Sequence, residues 1–202
     1  MDCAPLLLDE LTHRVSHELA AAMCIVSLAA ARTTAEDARD ALYWIRRRLE
    51  NFSRVHQLLQ RPRHITRVDA GAYLRQLCDA LESSKLQAEG IELTFVQRKL
   101  PLESDQCWRL GMIVSELVTN AWCRAFDEGA GRIRVDASRF DTTVQCRVQD
   151  NGSGSPAHPG DMGLEIIDTL VHELGGQLDQ RFGPGGSVST LVFPIVPEPL
   201  RV

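Results

Sequence analysis

The chain has 202 residues, 44% of them hydrophobic, enough for one ordinary domain or two small ones with a buried core. Its formal net charge of −5 withholds the basic field that a nucleic-acid backbone requires, so nucleic-acid binding is not expected, although a small nucleotide needs only local donors. Six scattered cysteines, none in a C-x-x-C pair, argue against a metal cluster or a disulfide framework and point to reduced thiols in a cytoplasmic protein. The opening MDCAPLLLDELTHR has no basic n-region, and no run approaches the roughly 20 apolar residues of a membrane span, so neither a leader nor a membrane segment is expected.

Two helices come first. Leu8, Leu11, Val15, Leu19, Ala22, Val26 and Ala29 recur at helical spacing, as do Leu42, Ile45, Leu49, Phe52, Val55 and Leu59. RTTAEDAR lies between them, where Thr33 or Thr34 can cap the second helix and Glu36 and Asp37 sit in its first turn. The pattern predicts an antiparallel hairpin. Two lone helices cannot bury both stripes, so pairing of two hairpins into a four-helix bundle, a homodimer, is expected. His13 and His17 lie off the stripe and should face solvent, above the small residues Ala20, Ala21, Cys24 and Ser27. Hairpin geometry places His13 level with Arg54 to Leu58, so that Arg54 and His56 would favour an anionic group there. The polar RPRHITR, residues 61–67, interrupts the helical pattern, giving domains at 1–66 and 67–202.

The remainder alternates. AGAYLRQLCDALESS reads as a helix, IELTFVQ as a strand, and DQCWRLGMIVSELVTNAWCRAF as a long helix. GRIRVDASR and TTVQCRVQD read as strands, GLEIIDTLVHELG as a helix stopped by Gly175 and Gly176, and QLDQRFG and SVSTLVFPI as two further strands. Strands joined by short turns with segregated helices indicate an α+β sandwich. No P-loop and no G-x-G-x-x-G is present.

Three features carry chemistry. Glu116 and Asn120, four apart, share one face of the long helix; an asparagine carbonyl suits a hard divalent cation, and a glutamate can orient or deprotonate a group beside it. Asp150 ends a strand and can accept from an exocyclic amine, while Gly152 and Gly154 permit a tight turn beside it.

These blocks resemble the two-component histidine kinases, more closely the subfamily, related to the HWE group, whose phosphoacceptor motif begins His-Arg-Val. ELTHRVSHEL is similar to the phosphoacceptor box, ELVTNAWCRAF to the N box and DNGSGSP to the first glycine box, and MGLEIIDTLVHELGGQL with GGSVSTLVFP resembles the closing segment. The resemblance implies a dimerising and phosphotransfer hairpin followed by an ATP-binding sandwich of the gyrase, heat-shock chaperone and histidine kinase (GHKL) type. It further implies ATP and Mg2+ as cofactors and a response-regulator receiver domain as the partner that takes the phosphoryl group. By position, His13 would be the phosphoacceptor, with His17 second, Glu116 the base or polarising group, Asn120 the Mg2+ ligand and Asp150 the adenine contact. Gly152, Gly154 and Gly163 would shape the pocket and its lid.

Four departures accompany the resemblance. Cys123 stands where the family has Lys, with Arg124 beside it; Asp161 replaces a glycine of the second glycine box; His17 replaces the usual Asn; and no sensor segment is expected before the hairpin. The expected function is therefore a sensorless histidine kinase taking its input from a separate sensor or upstream kinase. The alternative is a histidine phosphotransferase, a relay protein without ATP chemistry. A serine kinase acting on an anti-sigma partner shares the sandwich but leaves the hairpin and His13 unexplained.

Overall fold

In a computed structural model the described residues are 4–62, 64–96, 98–126, 130–153 and 162–195, with side chains described for all of these except 4–9 and 162. The chain divides into two units, Met1–Gln60 and Arg61–Val202.

The first unit is the expected hairpin, α1 (Ala4–Arg32) packed against α2 (Glu36–Leu58). The seam is rotated from the one the apolar spacing predicts. Thr12, Ser16, Leu19, Met23, Val26 and Ala30 face inward, whereas Leu11, Val15, Ile25 and Leu28 are exposed, Ile25 by 66%. Alanine and aliphatic residues occupy every side of α1, so its apolar pattern does not select one face. Ser16 is accommodated in the seam by donating to the Thr12 carbonyl at 3.1 Å, and its Oγ lies 3.4 Å from His56 Nδ1. His56 thus meets Ser16, three residues on from His13. The expected threonine cap is not made: Ala35 is the N-cap of α2, and the Thr33 carbonyl instead accepts from Arg39. Over Glu10–Arg32, α1 has a mean hydropathy of 1.3 and is long and apolar enough, by length and composition, to cross a membrane. The sequence reading expected no such run; the alanines between Leu19 and Arg32 make up the difference.

The second unit is an α+β sandwich, as expected. Its five-stranded sheet runs β2 (Ile91–Val96), β4 (Gly131–Phe140), β5 (Thr143–Asp150), β7 (Gly186–Pro194) and β6 (Gln177–Gly183). β2 and β4 are parallel, and the other pairs are antiparallel. Period-two alternation sorts the faces. Ile133, Val135 and Ala137 of β4, Val144, Cys146 and Val148 of β5, and Leu191 and Phe193 of β7 are buried, whereas Arg134, Arg147 and Gln149 point to solvent. The buried face is covered by α3 (Ala70–Leu81), α4 (Ser104–Ala125) and α5 (Met162–Glu173), whose Leu74, Leu77, Leu110, Ile113, Val114 and Ile167 complete the core.

Helix α5 stops where its glycines predict: Gly175 adopts φ +62°, and the Gly175 and Gly176 amides donate back to His172 and Val171 at 2.9 Å each. Two short strands were not foreseen, β1 (Arg67–Asp69) and β3 (Pro101–Glu103), which pair antiparallel. Asp69 fixes them to α3 by accepting from Gly71 N and Leu100 N at 3.0 Å each, and the Leu100 amide holds its carboxyl below the usual range. Beyond α3 the chain widens into a π-helical turn, Glu82–Leu86, anchored by Glu82 Oε1 accepting from Leu93 N at 3.0 Å.

Leu110 is fully buried under the sheet. Leu110→Ala is expected to cost about 2–5 kcal/mol, read as a lower urea midpoint of Trp108 and Trp122 fluorescence, with α1 and α2 contributing no tryptophan other than Trp44.

Candidate functional site

The alternation that buries Val144, Cys146 and Val148 also turns Asp150 inward, so the last residue of β5 carries a carboxylate into the layer between sheet and helices, 3% exposed. A buried charge requires donors. Asp150 Oδ1 accepts from Gly152 N at 2.9 Å and Ser187 N at 3.2 Å, and the Ser187 hydroxyl donates to Oδ2. A carboxylate has about four acceptor sites, so Oδ2 keeps one for a further donor.

The turn after Asp150 passes tightly beneath the C-terminus of α4. Ser153 N donates to the Ala125 carbonyl at 2.8 Å, and a Cβ on Gly152 would stand 2.2 Å from that same oxygen. From the other side Gly186 closes on the carboxylate's own backbone with φ +113°, where a Cβ would lie 2.0 Å from the Asp150 carbonyl oxygen. Only glycine serves at either place.

Asn120, Ala121, Arg124 and Asp150 line one cleft with Gln180, Phe182 and Ser187. The structure thus brings together three of the residues singled out in the sequence, Asn120, Arg124 and Asp150, with Gly152 in the turn below and Gly163 in the first turn of α5. Gly154 and Asp161 lie outside the described residues. Cys123, in place of lysine, is exposed. The contributions of β6 and β7 were missed. Ser187 in particular follows the glycines of GGSVS, and inward alternation from Phe193 through Leu191 and Ser189 to Ser187 could have placed it. The cleft encloses about 30 Å³, small beside the about 300 Å³ at the low end of ligand pockets.

Glu116 lies one turn before Asn120 on α4, half-buried. Burial raises its pKa, and the Lys85 ammonium opposes that shift. Lys85 was also missed. It projects from the π-helical turn, donates to Thr119 Oγ1 at 3.4 Å and stands 5.5 Å over the Trp122 ring, whose Nε1 donates to Glu89 at 2.6 Å. Propensity gives no hint of a π turn, so the meeting of this lysine with the exposed side of α4 could not be read from spacing. His13 and His17, in the first unit, are exposed, with their Nε2 atoms 3.1 Å apart.

Comparison with known proteins bears on these residues directly. Residues 10–85 match the family described as histidine kinase, and residues 71–193, more than half of the chain, match the histidine kinase-like ATPase domain. The chain belongs to the histidine kinase-like ATPase domain family. Among relatives of this histidine kinase-type chain, the sensor histidine kinase PdtaS of Mycolicibacterium smegmatis is 29% identical over 195 residues, covering 91% of this chain and 38% of that protein. Blue-light-activated histidine kinase 2 of Erythrobacter litoralis is 26% identical over 203 residues, covering 93% and 57%. The chain thus spans well under two thirds of the length of these relatives. The histidine kinase domain of the Erythrobacter litoralis EL346 blue-light activated kinase superposes with a TM-score of 0.62 at 22% identity, over 89% of this chain and 96% of that one. The catalytic domain of histidine kinase ThkA superposes at 0.56 and 21% identity, over 65% and 96%. These likenesses establish the fold.

The raised pKa of Glu116 has a defined sign. The fold favours the neutral carboxyl, so its contribution to stability is complete below the unfolded value and is lost as pH rises through the folded one. Glu116→Gln removes the titration. The variant is expected to melt above the parent near neutral pH, with the difference shrinking as pH falls through the raised value of Glu116 and gone below about 4.3, the ordinary glutamate value. Thermal melts across that pH range measure it.

Proposed function

We propose that the chain is a protein-histidine kinase in which His13 takes a phosphoryl group from ATP and passes it to an aspartate of a response-regulator receiver domain. The single observation that carries this reading is the buried Asp150 carboxylate. It is held by Gly152 and Ser187, keeps one acceptor site, and lines a cleft shared with Asn120 and Arg124. The match of residues 71–193 to the histidine kinase-like ATPase domain favours this reading over a relay protein without nucleotide chemistry.

The residues present fit the cofactors. Asp150 Oδ2 would accept from the exocyclic amine of adenine, Gly152, Gly154 and Gly163 would leave room for the base and phosphates, Arg124 would face the phosphates, and the Asn120 carbonyl would be a ligand for Mg2+. When bound, ATP supplies the phosphoryl group and Mg2+ neutralises its charge. Glu116, with its pKa raised by burial, is suited to hold or remove the proton that His13 must lose. His13 itself is exposed and can be approached, first as nucleophile and then by a receiver.

In this reading the hairpin is the dimerisation and phosphotransfer domain, residues 1–66, and residues 67–202 form the catalytic domain. Leu11, Val15, Ile25, Leu28 and Trp44, all exposed, supply the apolar surface for a second hairpin in a homodimer. A cytoplasmic place in a phosphorelay follows from ATP and receiver chemistry, and the free thiols of Cys24, Cys78, Cys107, Cys123 and Cys146 accord with it.

Purified protein incubated with Mg2+ and labelled ATP is expected to gain an acid-labile, base-stable phosphate. His13→Gln should abolish it while nucleotide binding persists. Asp150→Asn should weaken nucleotide binding about tenfold or more, in line with the ~1.5–3 kcal/mol of a hydrogen bond to a charged group. Label lost only in His17→Gln would move the phosphoacceptor; absence of both label and nucleotide binding would refute the kinase.

A further inference from the structure

His13 and His17 do more than share a helix face. Their Nε2 atoms approach to 3.1 Å, with ring centroids 4.4 Å apart and planes inclined at 68°, and both side chains are open to solvent. Two ring nitrogens this close cannot both carry a proton toward one another; the space between them takes either one shared proton or one cation. With metal–nitrogen bonds of about 2.0–2.1 Å, a right-angle chelate sets its nitrogens about 2.9 Å apart and a tetrahedral one about 3.3–3.4 Å apart. The observed separation falls between these limits. The nitrogens thus already stand at a chelating separation, and the exposed rings are free to turn their lone pairs toward a common ion.

The geometry points to a bidentate imidazole site at His13 and His17 for a borderline transition-metal dication of the Zn2+ or Ni2+ class, whose occupation withdraws His13 Nε2 from phosphoryl transfer. The second half rests on His13 being the phosphoacceptor; the chelate does not. Imidazole selects Zn2+, Ni2+ and Cu2+, whereas Mg2+ prefers hard oxygen ligands, so the Mg2+ required with ATP does not compete for the pair. No third histidine, cysteine, aspartate or glutamate joins the two among the described residues, and Glu10 leans instead toward Arg14 at 3.9 Å. Water or a buffer anion fills the other positions, which makes the site open and reversible, as a regulatory site must be. The chemistry also assigns a purpose to His17, which departs from the asparagine of the resembled motif: asparagine at that position would leave His13 as a monodentate ligand.

The test uses the full chain and Zn2+ alone as probe. Calorimetric titration in a phosphate-free buffer is run on the parent and on His17→Asn, together with diethylpyrocarbonate modification of His13 followed by peptide mass spectrometry. The expected result is one zinc per chain, protection of His13 in the parent, and at least a tenfold loss of affinity in His17→Asn. Equal affinity in the two proteins, or binding that disappears only when the Cys24 and Cys123 thiols are blocked, overturns the site. Labelling with Mg2+ and ATP is then compared with and without Zn2+ at the concentration that fills the site. The parent should lose label and regain it on chelator addition, and the plus-to-minus zinc ratio of His17→Asn should stay near one. A parent that binds zinc through the pair yet labels equally well overturns the regulatory half. A parent that never labels refutes the kinase reading instead, and the chelate is then decided by calorimetry and protection alone.

Discussion

Everything in the candidate cleft follows from burying one carboxylate. Asp150 reaches the interior because β5 alternates, and a buried carboxylate there must be supplied with donors. Its donors come from two separate places, the turn at Gly152 and the start of β7 at Ser187, so the carboxylate ties the end of one strand to the β6–β7 hairpin across the sheet. That tie demands close backbone approach, and the two glycines at the contacts are the means. Gly152 passes under Ala125, and Gly186 lies against Asp150 itself. Asn120 and Arg124 are then brought to the same cleft because α4 ends over that turn.

What the sequence disclosed was what periodicity and stop signals can encode. The long helix, the hairpin of β4 and β5, and the end of α5 at Gly175 each depend on short-range rules that hold whatever packs around them. β1 and β3, three residues each, are too short to show alternation and exist because Asp69 gathers the Gly71 and Leu100 amides. The π turn, the inner seam of α1 and the cap of α2 were likewise beyond reach. Each is decided by a competition between local options of nearly equal energy, which tertiary contacts settle. The candidate site divides in the same way: Asn120, Asp150 and Gly152 sit in compact motifs, whereas Lys85, Gln180 and Phe182 reach their places through distant elements.

The first unit shows the opposite balance between sequence and packing. Its two helices bury little, and Ala30 alone falls among the described core residues there. Ser16 and Thr12 occupy the seam, and larger aliphatic side chains are left outside. A helix pair that reserves its best apolar residues for its outer surface has most of its stabilisation still to gain from another partner. The hydropathy of α1 comes in part from residues that face outward, Ile25 and Leu28 among them.

Charge in the second unit is distributed to match. Cys123 offers no cation at the place where the resembled motif has lysine; Arg124, in the last turn of α4, lines the cleft, and Lys85 reaches α4 beside Thr119 and Trp122. Lys85 is delivered by the widened π turn, an extra residue's worth of backbone that carries its side chain over to α4. Its effect on Glu116 is opposed to that of burial, and burial prevails. Had the ammonium prevailed, the carboxylate would be a weaker base and a more permanent charge. As built, burial holds the pKa of Glu116 above the ordinary carboxylate value while a cation stands close enough to favour its ionised form.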